Sequence, residues 1–268
     1  MTSDRTPASA AATWRRVVTL IALLILSALV VGIAPVARAQ APGMSEHLEE
    51  MKWGNTLFVL LDKLEYTPGS QARRVNLDGR LWYGGAYRRA WMRAEGHRHA
   101  TALDNNTGEG ELQLLYGRLV HPFWDAVIGA RLDRSWGGES AGRAHLAIGF
   151  IGLAPYRFEL EPTLFVSERG DVSARLEAEF PVLITQRLVA EPAFEVNAAL
   201  QSVRRFDVRS GFNDYEFGLR IRYEIRREFA PYIGWTRTQR VGGNGAVISP
   251  EPRAVPGTRF VMGLRLWH

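Results

Sequence analysis

The amino-acid sequence predicts an all-β protein, namely a closed antiparallel transmembrane β-barrel of about 12 strands. Three observations support this fold class. Apolar and polar residues alternate along many segments, the connections between these segments alternate between short and long, and no long apolar run follows the N-terminal region. A helix needs about 18 or more apolar residues to span a bilayer. A closed barrel does not, because its strands pair their backbone groups with one another.

The segment 214–235 contains the clearest strand. From Tyr215 to Ile225, every second side chain is aromatic or aliphatic, and the residues between them are mostly arginine and glutamate. Successive side chains point to opposite faces in a β-strand, so this strand has one apolar face and one charged face. An apolar face bracketed by tyrosines is typical of a strand with lipid on one side and a polar lumen on the other.

Segments of this kind predict twelve strands along the chain. We place them at about 56–66, 74–83, 87–96, 110–120, 125–134, 144–153, 156–167, 172–182, 187–199, 215–226, 230–240 and 258–268. The connections after strands two, four, six, eight and ten are short, whereas most of the others are longer and richer in glycine, asparagine and proline. Outer-membrane barrels have short periplasmic turns and longer outer loops, so we expect both chain ends in the periplasm.

The N-terminal region has the pattern of a secretory signal peptide. An arginine pair precedes a long apolar run, and small residues at positions 37 and 39 offer a cleavage site. An uncleaved membrane anchor is the alternative, because this run is longer than the usual ~7–15 residues. The predicted organisation is a signal peptide at 1–39, a periplasmic lead-in at 40–54 and an outer-membrane barrel at 55–268.

Composition excludes several classes of function. The chain has no cysteine, which excludes disulfide frameworks, zinc-thiolate sites and thiol catalysis. Residues 1–39 contain four arginines and one aspartate, so their removal lowers the formal net charge from +5 to +2. The remaining arginines are interleaved with glutamates rather than clustered in one stripe, so the sequence indicates no nucleic-acid partner.

Glutamates recur on the polar faces of the predicted strands, for example at Glu159 and Glu161. Carboxylates at positions i and i+2 of one strand lie on the same face, roughly 7 Å from each other. This separation is compatible with glycoside hydrolysis. Arginines on the same faces favour another interpretation, in which the carboxylates form cross-strand ion pairs that line and partly fill the lumen. A lipid hydrolase is a further alternative, although the chain has no G-x-S-x-G motif.

Three candidate metal ligands lie in the predicted lead-in. Met44, His47 and Met51 form the spacing M-x2-H-x3-M. On a helix these positions would share one face, and thioether and imidazole ligands suit copper, especially Cu(I). Chance composition of a flexible lead-in is the alternative explanation of this spacing.

Three further candidate ligands are histidines of the barrel. His97 and His99 flank Arg98 at the predicted start of the first long outer loop, where they can share a cation or be solvated. His145 lies near the predicted start of strand six, and a shift of one residue in register would move it to the other face. A structural role is the alternative for each of the three.

Four segments carry long and specific motifs. They are ELQLLYGRLVHPFWDAVIGARLD (111–133), IGLAPYRFELEPTLFVSERGDVSARLEAE (151–179), ITQRLVAEPAFEVN (184–197) and GLRIRYEIRREFAPYIGW (218–235). In these motifs the chain resembles the copper-resistance outer-membrane protein B family (CopB/PcoB-type). The resemblance implies an outer-membrane barrel that helps periplasmic copper to be exported or sequestered. We expect this barrel to be monomeric and not an enzyme. The resemblance also implies contact with outer-membrane lipid, copper ions, and a periplasmic multicopper oxidase or copper chaperone.

Members of this family typically carry a long segment rich in methionine and histidine before the barrel. This chain has only Met44, His47 and Met51 in that position. The resemblance therefore implies transient copper capture here rather than storage by the N-terminus. The short lead-in also leaves open a general small-solute channel or a structural barrel without copper specificity.

Overall fold

The computed structural model describes residues 55–268 except 69–71, 102–106, 137–141, 204–207 and 242–256. The predicted signal peptide and lead-in, residues 1–54, lie outside the described residues. The described part contains strands and one 3-10 turn at Pro155–Arg157. The strands are β1 (Thr56–Thr67), β2 (Ala72–Gly84), β3 (Arg88–Thr101), β4 (Thr107–His121), β5 (Trp124–Trp136), β6 (Gly142–Ala154), β7 (Phe158–Ser167), β8 (Val172–Glu179), β9 (Val182–Leu183), β10 (Leu188–Ala199), β11 (Gly211–Tyr223), β12 (Phe229–Arg240) and β13 (Gly257–Trp267).

All strands except the two-residue β9 form one closed antiparallel ring. Strands β1 to β8 each pair with the next strand along the chain, β8 pairs with β10, and β10 to β13 again pair in order. Pairing of β13 with β1 closes the ring, and β9 pairs with β10. These pairings confirm the predicted closed antiparallel barrel of twelve long strands. In the part of the chain that the structure describes, no helix is long and apolar enough to cross a membrane.

The eighth predicted strand is interrupted. We predicted one strand at 172–182, but β8 ends at Glu179 and the short β9 follows Pro181. Proline has no N–H group to donate to a neighbouring strand, so it ends the regular pairing here. The backbone N–H of Phe180 still donates to the carbonyl of Pro192 on β10 at 3.0 Å.

Strand β3 is longer than predicted. It continues to Thr101 instead of ending at residue 96, because its backbone pairing with β4 persists through His97↔Glu109 and His99↔Thr107. The prediction that His97 and His99 lie at the start of a loop is therefore wrong. Both are strand residues, and this part of the strand is polar, so hydrophobic alternation did not reveal it.

The two ends of the barrel differ in their connections. At the short-turn end, the connections span 85–87, 122–123, 155–157, 180–187 and 224–228. At the opposite, long-loop end, they span 68–71, 102–106, 137–141, 168–171, 200–210 and 241–256. The first strand begins and the last strand ends at the short-turn end, as the alternation of connection lengths predicted.

The outer face of the barrel is apolar and the interior is charged. On β11, Phe217 and Tyr223 are 39% and 47% exposed, whereas Arg220 and Arg222 are 5% and 9% exposed. Other strands expose large apolar side chains in the same way, namely Leu57, Ile128, Ile148, Phe150, Leu164, Ile233 and Phe260. A water-soluble protein rarely exposes such a large apolar area, which is instead the arrangement of a barrel surrounded by lipid. The predicted transmembrane β-barrel is confirmed.

A β-bulge in β1 adds charge to the interior. Leu61 pairs with Gly79 and Lys63 pairs with Asp78, so Asp62 is an extra residue without a partner position on β2. The bulge lets two consecutive residues contact charged side chains inside the barrel. The Nζ atom of Lys63 lies 3.1 Å from Asp78, and the carboxylate of Asp62 lies 3.1 Å from Arg265.

The interior also contains an apolar cluster. Leu115, Val127, Ala147 and Phe165 form a buried cluster on four consecutive strands, β4 to β7. Trp91 and Ile151 pack against this cluster. The same strands also carry buried charged residues, such as Glu111, Arg131 and Glu161, so the cluster adjoins the charged network in which the candidate site lies.

Candidate functional site in the barrel interior

Arginines from one side of the barrel reach carboxylates on the opposite side. Arg93 on β3 donates to Glu161 on β7 and, at 2.8 Å, to Glu177 on β8. Arg80 on β2 contacts the same Glu161 at 3.1 Å. Because β3 and β7 are four strands apart in the ring, these side chains meet across the lumen.

A second connection crosses the lumen nearer the long-loop end. Arg175 on β8 donates through two nitrogens to Glu111 on β4, at 3.3 and 3.0 Å. Arg131 on β5 also contacts Glu111 at 3.0 Å. The guanidinium of Arg131 lies 4.5 Å from the ring centroid of Phe165, so the apolar cluster and the charged network adjoin here.

Further ion pairs fill the remaining side of the interior. Lys63 on β1 contacts Glu179 on β8 at 3.3 Å, and Arg265 on β13 contacts Glu191 on β10 at 3.1 Å. Arg222 donates to the same Glu191. The described residues therefore support the interpretation that the carboxylates form ion pairs filling the lumen, and these pairs include partners across the barrel as well as on adjacent strands.

His145 faces the interior and is 2% exposed. Its Nδ1 atom lies 3.5 Å from a carboxylate oxygen of Asp133 on the neighbouring β5. The edge of its ring meets Phe165, with ring centroids 6.2 Å apart. The structure thus decides the register that the sequence left open and places His145 beside the apolar cluster.

Ser167 on β7 is the neighbour of His145 across the strand pair, so the side chains of a hydrolase triad occur on adjacent strands. The Ser167 hydroxyl, however, donates to Asp171 at 3.1 Å and accepts the N–H groups of Arg169 and Asp171. A cavity beside Asp171 measures about 20 Å³, which is room for about one water molecule. Ser167 therefore closes the turn between β7 and β8, with its hydroxyl proton directed away from histidine.

His97 also faces the interior, at the long-loop end. Its Nε2 atom lies 3.6 Å from Glu109 on β4. It lines a cavity of about 130 Å³ together with Glu95, Asp78 and Glu216, among others. His99 lies two residues farther along β3 and pairs with Thr107 on β4.

The predicted ligands do not converge on one centre in the described part of the chain. No group of three or more His, Asp or Glu side chains is arranged there to hold a metal ion. His97 and His145 are on strands β3 and β6 and have different carboxylate neighbours. Met44, His47 and Met51 lie outside the described residues.

Sequence reasoning missed a cavity of about 470 Å³ at the short-turn end, which we name the vestibule. Three aromatic residues on adjacent strands line it, namely Phe58, Trp82 and Trp91. Phe58 and Trp82 stack at 5.9 Å, and Trp82 and Trp91 are 6.1 Å apart. The sequence signal for this cavity was that each of the three aromatic residues occupies a position whose side chain points into the barrel.

Comparison with known proteins identifies the family. A family model described as "Copper resistance protein B precursor (CopB)" matches residues 55–268. The chain belongs to the copper resistance protein B family. The matched region coincides with the barrel, so the ion-pair network and the three cavities lie within the part that defines the family.

Two named relatives support membership of the copper resistance protein B family. "Copper resistance protein B" of Escherichia coli is 40% identical over 209 residues, covering 78% of this chain and 68% of the relative. A "Copper resistance protein B homolog" of Pseudomonas syringae pv. tomato (strain ATCC BAA-871 / DC3000) is 36% identical over 213 residues, covering 80% and 70%. A solved structure described as NanC porin has a TM-score of 0.49 and 13% identity, covering 79% of this chain and 99% of that chain.

Proposed function

We propose that this protein is a non-enzymatic outer-membrane barrel that binds periplasmic copper and aids its export or sequestration. Copper is its cargo and not a catalytic cofactor. The observation that carries the proposal is the family match over the whole barrel. The apolar outer face supports placement in the outer membrane, because a closed barrel in lipid is typical of that membrane.

In this proposal the six candidate ligands act at different positions along the barrel axis. β1 begins at Thr56, which pairs with Gly84 at the short-turn end, so the lead-in joins the barrel at that end. Met44, His47 and Met51 would therefore meet copper in the periplasm. His97 and His99 lie near the long-loop end of β3, where they would receive copper on the outer side. His145 would be an interior ligand only if it exchanged its contact with Asp133.

The small-solute channel is less well supported than the copper-resistance barrel. An open channel needs a continuous aqueous lumen, whereas here ion pairs join opposite sides of the barrel at Arg93–Glu161 and Arg175–Glu111. Copper transfer by side-chain ligands requires no wide pore. The interior thus favours handling of a small ion over passage of hydrated solutes.

Titration with Cu(I) under competition from a chelator tests the proposal. Purified protein lacking residues 1–39 is compared in detergent with the triple variant Met44→Ser, His47→Ala, Met51→Ser and with a variant whose residues 40–54 are scrambled. We expect the triple variant to lose binding severalfold, because soft ligands are removed. Equal binding by all three proteins would reject the lead-in as a copper site. Copper tolerance of cells that produce each protein reports whether any bound copper contributes to resistance.

A further inference from the structure

A continuous row of aromatic rings, three of which line the vestibule, follows the inner face of four strands. Trp267 on β13 adjoins Phe58 on β1 at 6.1 Å, and the row continues through Trp82 on β2 to Trp91 on β3. We name these four residues the aromatic row. Because four neighbouring strands each contribute one inward-facing ring, their backbone pairing sets the spacing of the row.

The arginines that line the vestibule are neutralised by carboxylates. Arg89 lies 2.7 Å from Asp125, and Arg80 lies 3.1 Å from Glu161. Arg265 lies 3.1 Å from Asp62. None of these guanidinium groups therefore offers an unpaired positive charge to an anionic ligand.

Glu159 on β7 lines the same cavity. In the described part of the chain it has no ion pair and no hydrogen bond, and Glu179, Arg80 and Arg265 act on it at longer range. Its register partners are Glu179 on β8, which Lys63 contacts at 3.3 Å, and Leu153 on β6. Among the charged residues described above that line the vestibule, the group without a direct partner is thus the carboxylate of Glu159.

We propose that the vestibule binds a small organic ammonium cation, with Glu159 as its counter-charge and the aromatic row as its apolar and cation–π surface. A cation over a tryptophan or phenylalanine face is attracted by the ring quadrupole, and the attraction increases when water is excluded. The protein already uses this geometry, since the guanidinium of Arg89 lies 5.2 Å from the ring centroid of Trp82. A metal ion is a poorer occupant, because the described residues hold no group of three acidic or histidine ligands.

Isothermal titration of the purified barrel with tetramethylammonium tests the site. Its uncharged isostere of similar shape, 2,2-dimethylpropan-1-ol, separates attraction of the charge from simple filling of an apolar cavity. We expect saturable binding of the ammonium ion, weakened about tenfold by Glu159→Gln and similarly by Trp91→Leu, because each removes one component of the site. The matched control is Glu168→Gln, which removes an exposed carboxylate in the turn that follows the opposite end of the same strand.

The outcomes that would overturn the proposal are specific. They are the absence of saturable ammonium binding by the wild type, equal binding by Glu159→Gln, or equally tight binding of the uncharged isostere. Far-ultraviolet circular dichroism and thermal unfolding verify that each variant is folded. If Trp91→Leu does not fold, the comparison of Glu159→Gln with Glu168→Gln decides the matter.

Discussion

Arg175 on β8 and Glu111 on β4 form a two-point ion pair across the barrel, with nitrogen–oxygen distances of 3.3 and 3.0 Å. Three strands lie between them in the ring of twelve, so the pair spans part of the lumen. Both side chains are buried, and Arg131 contacts the same carboxylate at 3.0 Å. The interior of this barrel is therefore held together by side chains and does not form an open tube at this level.

Removal of one partner of this pair should destabilise the barrel. We expect Glu111→Gln to lower the free energy of unfolding by about 1–3 kcal/mol, because two buried guanidinium groups lose a shared counter-charge. The loss is limited because Arg131 keeps its contact with Asp133 at 2.8 Å and Arg175 keeps Glu195 at 3.5 Å. Urea titration in lipid vesicles measures the effect. Arg169→Met, at the exposed turn between β7 and β8, is the control and should change stability by less than about 0.5 kcal/mol. Equal stability of wild type and Glu111→Gln would show that the pair contributes little.

Ionic conductance should be low in the wild type. The contacts of Arg80 and Arg93 with Glu161 occupy the lumen between β2, β3 and β7. In planar bilayers we expect the double variant Arg80→Ala, Arg93→Ala to conduct severalfold more current than the wild type, because two side chains that cross the lumen are removed. Arg118→Ala, which removes an exposed arginine on β4, is the control. A high wild-type conductance that the double variant does not increase would support the small-solute channel.

The apolar outer face predicts how the barrel responds to a charge. Ile148 lies in the middle of β6 and is exposed to the surroundings of the barrel. Ile148→Arg should make folding into vesicles less favourable by about 2–4 kcal/mol, because a charge near the bilayer centre is costly. Leu200→Arg, in the exposed connection between β10 and β11, should have a much smaller effect. Equal effects would contradict a lipid-facing position for Ile148.

The barrel histidines should contribute unequally to copper binding. We expect the double variant His97→Ala, His99→Ala to weaken Cu(I) binding more than His145→Ala does. The reason is accessibility, since His145 is fully buried between Asp133 and Phe165, whereas His97 lines a cavity. Chelator competition measures the affinities, and Met44→Ser provides the reference for a lead-in ligand. A larger loss for His145→Ala would indicate that copper passes through the interior.

Most of the fold was predictable because lipid and lumen impose opposite requirements on alternate residues. Tyr223 and Arg222 illustrate this, since one is exposed to lipid and the other is buried in the lumen, as their parity predicted. The prediction failed where this alternation is weak. Polar residues follow Gly96 on β3, so the strand continues to Thr101 through backbone pairing that hydrophobicity does not report.

The candidate site was less predictable than the fold. The alternation of side chains along β7 places Glu161 inside the barrel. It does not determine whether an arginine on an adjacent strand or one across the lumen contacts this carboxylate. Arg93 reaches it from four strands away, a sequence separation of 68 residues. The aromatic row has the same origin, because the pairing of Phe58 with Trp82 and of Trp82 with Trp91 follows from the register of three strands.

The sequence by itself determined the barrel class, the inward and outward faces, the end of the barrel at which the first strand begins and the last strand ends, and the family resemblance. These properties depend on the alternation of apolar and polar residues, on turn composition and on motifs, all of which are local features of the sequence. Only the tertiary structure decided which charges pair across the lumen, where the vestibule lies and that Glu159 has no direct partner there. Closure of the ring brings strands together that are far apart in sequence, and contacts between them depend on register and curvature that alternation alone does not specify.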